Sequence, residues 1–375
     1  MKLKFSRKGE SGFYLDLKQE VNDYFKSNNI SKNANALMVF KTILFLGGLP
    51  VLYYLIVFGQ FSLGVTFGLT ILIGMCQSFI GFNVAHDAIH GSYSSNKTIN
   101  KILSYSFNIV GANAYVWKIT HNVVHHTYTN IPGHDEDLDI APGLVRLSRL
   151  EEQKPIMKYQ HFYAFLLYGL ASLSWVFRKD FVKFFQPQIG QTDNSHHPKK
   201  EYLILFFFKA VYYTLFIVVP LLVMDITWWQ FAIGFLSMHL AEGLVLGLVF
   251  QLAHAVEETD FPEPDPNGSM EETWAVHQMH TTANFSMKSK IAAFFCGGLN
   301  FQIEHHLFAN ICHIHYPQLS KIVQRVANRH GIPYHINETF FDALTSHYRI
   351  LKKMGSEEVL TPVPVTVEEK EVMYH

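Results

Sequence analysis

The chain has 375 residues, 49% of them hydrophobic and 15% aromatic but only 16% charged, which is too apolar for an ordinary water-soluble domain. Lys plus Arg (30) nearly balances Asp plus Glu (31), so the basic footprint of a nucleic-acid binder is missing and no nucleic-acid partner is expected. The three cysteines, Cys76, Cys296 and Cys312, are odd in number and scattered, which argues against a disulfide scaffold or an iron–sulfur site; the 21 histidines are the anomaly.

In chain order, residues 1–36 form a polar arm without the apolar core of a cleavable signal peptide. Four apolar stretches then reach the length that crosses a bilayer, at about 37–59, 61–85, 203–224 and 228–253. The links Gly59-Gln60-Phe61 and Asp225-Ile226-Thr227 are short, so the spans pair as two hairpins. Neither link carries Lys or Arg, whereas the arm (Lys2, Lys4, Arg7, Lys8), the middle (Lys97, Lys118, Arg146, Arg178, Lys199) and the C-terminal third are rich in both. The positive-inside rule therefore places both termini and the histidine clusters on the cytoplasmic side of a multi-pass membrane protein. Lys41 and Lys209, inside spans, are expected to snorkel to the headgroups. The weaker apolar stretches 102–117 and 162–177 are expected to lie in the membrane interface as helices. Residues 37–358 read as one domain, with a proline-rich loop at 259–268 and a flexible tail at 359–375.

His86-Asp87-Ala88-Ile89-His90 comes directly after the second span, and its i, i+4 spacing puts both imidazoles on one helical face. His121, His125 and His126 repeat that spacing and add a neighbour, which widens the arc enough for one segment to serve two metals. Gln302-Ile303-Glu304-His305-His306 supplies a third cluster with the same terminal pair. A structural zinc closes with four ligands, whereas seven histidines plus Gln302 exceed one tetrahedral site and suit two open-sided metals. Imidazole alone does not choose the metal, but a redox pair beside a lipid-sized apolar surface points to dioxygen activation on a lipid, with two iron ions as the default. No His-Glu-x-x-His occurs, so a zinc protease is excluded.

These segments, HDAIH, WKITHNVVHHTYTNIPGHDEDLD and NFQIEHHLF set around two hairpins, resemble the membrane fatty acid desaturase family over most of the chain. The resemblance implies an all-α integral membrane protein with four transmembrane helices in two hairpins and a cytoplasmic helical cap holding a diiron site. It implies His86, His90, His121, His125, His126, His305 and His306 as ligands. Gln302 stands where a box histidine is replaced in the front-end (delta-5/delta-6-like) branch, whose members insert a double bond between an existing one and the carboxyl end. The family needs a further ligand outside the boxes, for which His254 is the first choice and Asn284 and His280 are competitors. The proline often found after the third box is Ala309 here.

Metal-bound histidines usually give their other N–H to a carboxylate or carbonyl. Asp87, Asp135, Asp137 and Asp139 are candidates, Asp87 foremost, with a solvated acidic turn as the alternative for the last three. His239 and Glu242 sit three apart inside the fourth span, where ionisable groups are costly; they either line the acyl tunnel or bond each other across a helix contact. Trp117 and Lys118 either meet the substrate headgroup or mark the membrane interface. His277, His313 and His315 read as surface or packing residues, and His196-His197 as loop.

An unactivated methylene offers no acidic proton, so acid–base groups cannot break its C–H bond, and dioxygen is required as co-substrate. Reducing it to water takes two electrons from substrate and two from outside. The chain carries no heme-binding His-Pro-Gly-Gly, so a separate donor is expected, ferredoxin or cytochrome b5 with its reductase. The expected substrate is a fatty acyl-CoA or an acyl-lipid among the membrane lipids. The rivals are a hydroxylase on the same scaffold and a non-enzymatic membrane metal-binding or transport protein, which would line its spans with metal groups.

Overall fold

The computed structural model describes residues 3–6, 12–137, 141–149 and 151–357; Asp139 and the 359–375 tail lie outside them. The helices in chain order are α1 (Phe13–Ser27), α2 (Ala36–Phe58), α3 (Leu63–His90), α4 (Lys97–Ile109), α5 (114–128), α6 (Gln160–Gly169), α7 (171–185), α8 (Lys199–Val223), α9 (Trp228–His254), α10 (Trp274–Thr281), α11 (Lys290–Phe295), α12 (Gln302–Leu307), α13 (Tyr316–Arg329) and α14 (Phe340–Ser356). Four of them, α2, α3, α8 and α9, are long and apolar enough to cross a membrane, and the two short links make them two hairpins. The chain is an all-α membrane protein. Among the described residues, strand structure is confined to two-residue pairs, β1 (Gln188–Ile189) with β2 (Thr192–Asp193), antiparallel, and β3 (Asn284–Phe285) with β4 (Ile336–Asn337), parallel, and to a single bridge between Lys4 and Ser269.

The spanning helices show apolar side chains outward: Ile43, Leu203 and Leu222 are 68%, 74% and 80% exposed, a surface that suits lipid rather than water. α2 begins at Asn35, whose side chain accepts from the Met38 amide, and tolerates Pro50 in its interior, as bundled membrane helices do. α9 packs along α3 and α6. A Cβ on Gly74 would strike the Met238 carbonyl and one on Gly243 the Gly169 carbonyl, so small residues set these close crossings. Outside the spans, α1 buries Phe13, Leu17, Val21 and Phe25 at four-residue spacing against Leu319, Val323 and Val326 of α13, forming one core with Ile303 and Leu307 of α12.

Two expectations change. The second span does not end at 85: α3 loosens into a π turn over Gly81–Ala85 and continues through His90, so the first histidine pair lies on the last turns of a spanning helix rather than beyond it. Lys41 and Lys209 do not snorkel. Lys41 is 2% exposed and donates to His313 Nε2 at 2.8 Å; Lys209 is also enclosed and donates to Asp180 Oδ2 (2.8 Å) and to the Gly111 and Trp175 carbonyls. Each is instead satisfied by a buried partner on another element. The stretches 102–117 and 162–177 each fall on two helices, broken near 110–113 and at Leu170.

Candidate metal centre

Four chain segments converge at one end of the α3–α9 pair. α3 delivers His86 and His90, α5 delivers His121, His125 and His126, the last turn of α9 delivers His254, and α12 delivers Gln302, His305 and His306. The winding of α5 is π over Lys118–His125. A π turn closes i→i+5 hydrogen bonds and so winds through a smaller angle per residue than an α turn, which lets His121, His125 and His126 point the same way more closely than an α-helix allows.

Potential ligand nitrogens gather into groups of which each lies within 4.8 Å: His86, His90, His121 and His305; His125, His254 and His306; and His126 with His305 and His306 bridging the two. The outward-facing nitrogens are already engaged. His125 Nδ1 lies 2.9 Å from Asp135 Oδ2 and His121 Nδ1 3.2 Å from Asp137 Oδ2. His306 Nδ1 meets Gln278 Oε1 at 2.7 Å, His305 Nδ1 the Tyr316 hydroxyl at 3.2 Å and His254 Nδ1 the Thr281 carbonyl at 3.3 Å. The inward nitrogens are bare: Nε2 of His86, His90, His125 and His305 is buried with no hydrogen-bond partner among the described residues, and the Nε2 atoms of His121 and His126 face each other at 3.2 Å. Burial without partners is costly for polar atoms, and lone pairs converging in this way fit cations. Burial, reinforced by neighbouring imidazoles, holds His121, His126, His305 and His306 well below the usual histidine range, so the rings are neutral and their lone pairs free. At His125 burial pulls the same way, but Asp135 and Asp137 outweigh it and the pKa is raised.

Gln302 joins the second group. Its Nε2 lies 2.9 Å from His254 Nε2 and 3.3 Å from His306 Nε2, while Oε1 is buried and unpaired. Which amide atom faces the imidazoles is a matter of assignment; either places a polar atom where a box histidine would stand.

The remaining candidates divide between those that touch the converging rings and those held elsewhere. Asp135 and Asp137 reach converging rings, whereas Asp87 is committed to another partner: it takes His313 Nδ1 at 2.6 Å and the His313 amide at 3.0 Å, leaving His86 Nδ1 3.9 Å away. His313 is therefore a buried partner of Asp87, and His277 a packing residue bonded to the Thr129 carbonyl. Asn284 is not among the converging groups. Its Nδ2 donates to Glu304 Oε2 and to the Tyr334 hydroxyl oxygen, and its Oδ1 accepts the Ile303 amide, so it anchors α12. His280 is partly exposed and pairs with Asp260 and Glu272. Trp117 is buried and stacks on His121 with ring centroids 4.1 Å apart. Lys118 is exposed. His239 bonds Ser172 Oγ and the Tyr212 hydroxyl and lies 3.5 Å from Glu242, which answers to a helix-to-helix contact.

Sequence reasoning missed Gln278, Thr129, Asn130 and Tyr316. Asn130, at φ 56°, donates through Nδ2 to the carbonyls of His254, Asp260 and Thr281, tying the second box to the end of α9. Its left-handed backbone suits asparagine, but no local signal marks the role. Glu304, inside the third box, faces Asn284 and Tyr334 instead of the converging imidazoles, and burial pushes its carboxyl up to about 7.

Two cavities meet at Trp117. A narrow apolar throat lined by Gly81, Phe82, Ile89, Phe107, Trp175 and Phe250 passes His86. It shares Trp117, Trp175, Leu246 and Phe250 with a wider mouth of about 820 Å³ bordered by His125, Asp135, Asp137, Lys179, Gln251 and His254. His239 and Glu242 line neither the throat nor the mouth.

Residues 62–337 match the family model described as fatty acid desaturase. Among curated proteins, the chain is 35% identical over 344 residues to an sn-1 linoleoyl-lipid 6-desaturase of Arthrospira platensis, covering 92% of this chain and 93% of that one. It is 34% identical over 355 residues to a protein of the same name from Synechocystis sp., covering 94% and 98%. An acyl-lipid (8-3)-desaturase of Physcomitrium patens is 34% identical over 357 residues, covering 95% of this chain and 74% of its own.

Proposed function

Since the chain belongs to the fatty acid desaturase family, we propose that it is a front-end desaturase of lipid-bound acyl chains. It places a new double bond between an existing one and the carboxyl end, using two irons and dioxygen with electrons from an external carrier. That it desaturates fatty acyl chains, and is an oxidoreductase of the membrane, comes with family membership; the position, the acyl carrier and the metal are the proposal. The observation that carries it is Gln302 within 3.3 Å of two ligand-type imidazoles, the box variant that resembles the front-end branch, together with relatives named linoleoyl-lipid 6-desaturases.

His86, His90, His121 and His305 would hold one iron and His125, His254 and His306 with Gln302 the other, while His126 stands between them. When bound, the irons supply the dioxygen chemistry that breaks unactivated C–H bonds. The protein's own residues do the rest. The reacting part of the acyl chain comes alongside His86 among Phe82, Phe107, Trp117, Trp175 and Phe250, which exclude water there. The headgroup stays at the mouth near Lys179 and Gln251, so the distance from mouth to Trp117 sets which methylenes come alongside the metals. Asp135, Asp137, Gln278 and Tyr316 fix the ring orientations. The absence of Lys and Arg from the two hairpin links supports a cytoplasmic position for both termini and the metal centre.

Fatty-acid methyl-ester profiling of a host that expresses the chain and is fed linoleate tests the reading. The expected product has lost two hydrogens on the carboxyl side of the existing double bonds. A new bond on the methyl side alone, or a product that has gained oxygen, overturns it.

A further inference from the structure

A second opening reaches the metal centre, and the charged side chains that line it are all basic, whereas the first carries Asp135 and Asp137 beside Lys179. It is a broad groove between α4 and α5, lined by His90, Gly91 and Asn122, with the exposed Lys97, Lys101 and Lys118 along its rim. All three lysines are exposed and no carboxylate is among the lining residues. Glu201, buried and 3.9 Å from Lys101, is the acid paired with the rim. Of the eight converging histidines His90 alone is partly exposed as a residue, the other seven being buried, and it belongs to the lining of this basic groove. The other mouth carries Asp135 and Asp137 and leads into the apolar throat, with which it shares four side chains. The basic groove shares only Ile89 with that throat, so a lipid whose headgroup sat there would have no open path for its acyl chain.

We propose that the groove framed by Lys97, Lys101 and Lys118 is the docking surface for an acidic one-electron carrier protein, whose electrons enter at His90. The inference rests on the reading that the donor is a separate protein. Each turnover removes two hydrogen atoms from the acyl chain and takes up two electrons and two protons, so that dioxygen leaves as two waters. A one-electron carrier must therefore dock twice and leave twice. Complementary charge gives such an encounter speed and orientation without holding the carrier tightly.

The test uses the full-length, iron-loaded protein in lipid nanodiscs, with a reduced acidic [2Fe–2S] ferredoxin in one arm and the soluble haem domain of cytochrome b5 in the other. Carrier affinity is measured across ionic strengths, and carrier oxidation is monitored by stopped-flow absorbance. Combined Lys97→Gln, Lys101→Gln and Lys118→Gln is expected to weaken binding in at least one arm about tenfold at low salt, the difference shrinking as salt screens it. Reduction of the centre by dithionite, a small reductant that needs no docking, stays at the parent rate, and Lys321→Gln on α13 changes nothing. Should the triple variant lose its iron, Lys97→Gln alone, on the exposed first turn of α4, gives the same readout at smaller amplitude. Unchanged affinity in both arms overturns the proposal, whether or not KM for a vesicle-borne acyl-lipid rises; a rise would make the groove a headgroup site. A parent protein that oxidises the carrier yet leaves linoleate chains unaltered would defeat the desaturation reading and leave the docking surface standing.

Discussion

The two histidine groups at the centre of the molecule are held by different means. His86 and His90 ride on the end of a 28-residue spanning helix, and rigidity there comes from the packing of α3 against α9. The second group sits where chain segments end. His254 closes α9, His306 lies on the six-residue α12, and His125 leads into a turn, so each leans on polar partners: Asp135 for His125, Gln278 for His306, and the Asn130 amide for the chain around His254. A ligand on a long helix is placed by the helix, whereas a ligand at a chain terminus has to be placed by hydrogen bonds.

That contrast predicts different consequences for mutation. The largest effect belongs to His305, whose bare Nε2 completes the first group and which also belongs to the bridging one. His305→Ala is expected to abolish product formation and lower iron content below two per chain, as read by elemental analysis; full iron content with retained activity would break the assignment. A smaller effect separates charged from neutral support. Asp135→Asn removes the charge behind His125 and is expected to lower iron affinity or turnover roughly 10- to 100-fold. Tyr316→Phe takes only a neutral hydroxyl from behind His305, on the same short α12 as His306, and should cost only a few-fold. Equal losses would show that the hydroxyl supports its ring as strongly as the carboxylate does.

The smallest effect is on stability. His347 of α14 is fully buried, with Nδ1 against the Ala255 carbonyl at 2.6 Å and Nε2 against the Tyr168 hydroxyl at 2.9 Å, and burial lowers its pKa to about 4. The folded state thus keeps this ring neutral while the unfolded chain protonates it near 6.5. Its contribution is complete above pH 6.5 and is lost as the pH falls toward 4, by roughly 3 kcal/mol in all. Thermal melts of the parent and His347→Gln should converge over that window, and parallel curves would assign the acid sensitivity to other groups.

Much of this was legible in the sequence because it was local. The spans come from hydropathy, and the three boxes from spacing. Asp135 and Asp137 lie within sixteen residues of the rings they meet. The features that escaped depend on long-range contact. Lys41 and Lys209 look like snorkelling cations until partners at His313 and Asp180 appear, and Asp87, adjacent to His86 in sequence, is claimed by His313 from 226 residues away. Asn284 stood close enough to the boxes to look like a ligand; its partners Glu304 and Tyr334 show it to be an anchor. Gln278 and Asn130 carry no pattern that distinguishes them from any other polar residue.

The π winding of α3 and α5 makes the centre sensitive to chain length as well as to composition. Each such turn accommodates a residue more than the α-helix would. Deleting one residue among 118–120 would let α5 relax into ordinary winding, in which positions five apart stand about 140° from each other around the axis. Every histidine would still be present in the sequence, yet His121 and His126 would no longer share a face. The boxes are therefore phased as well as spelled, and a homologous chain with all its histidines but a different length between span and box could not be assumed to build the same centre.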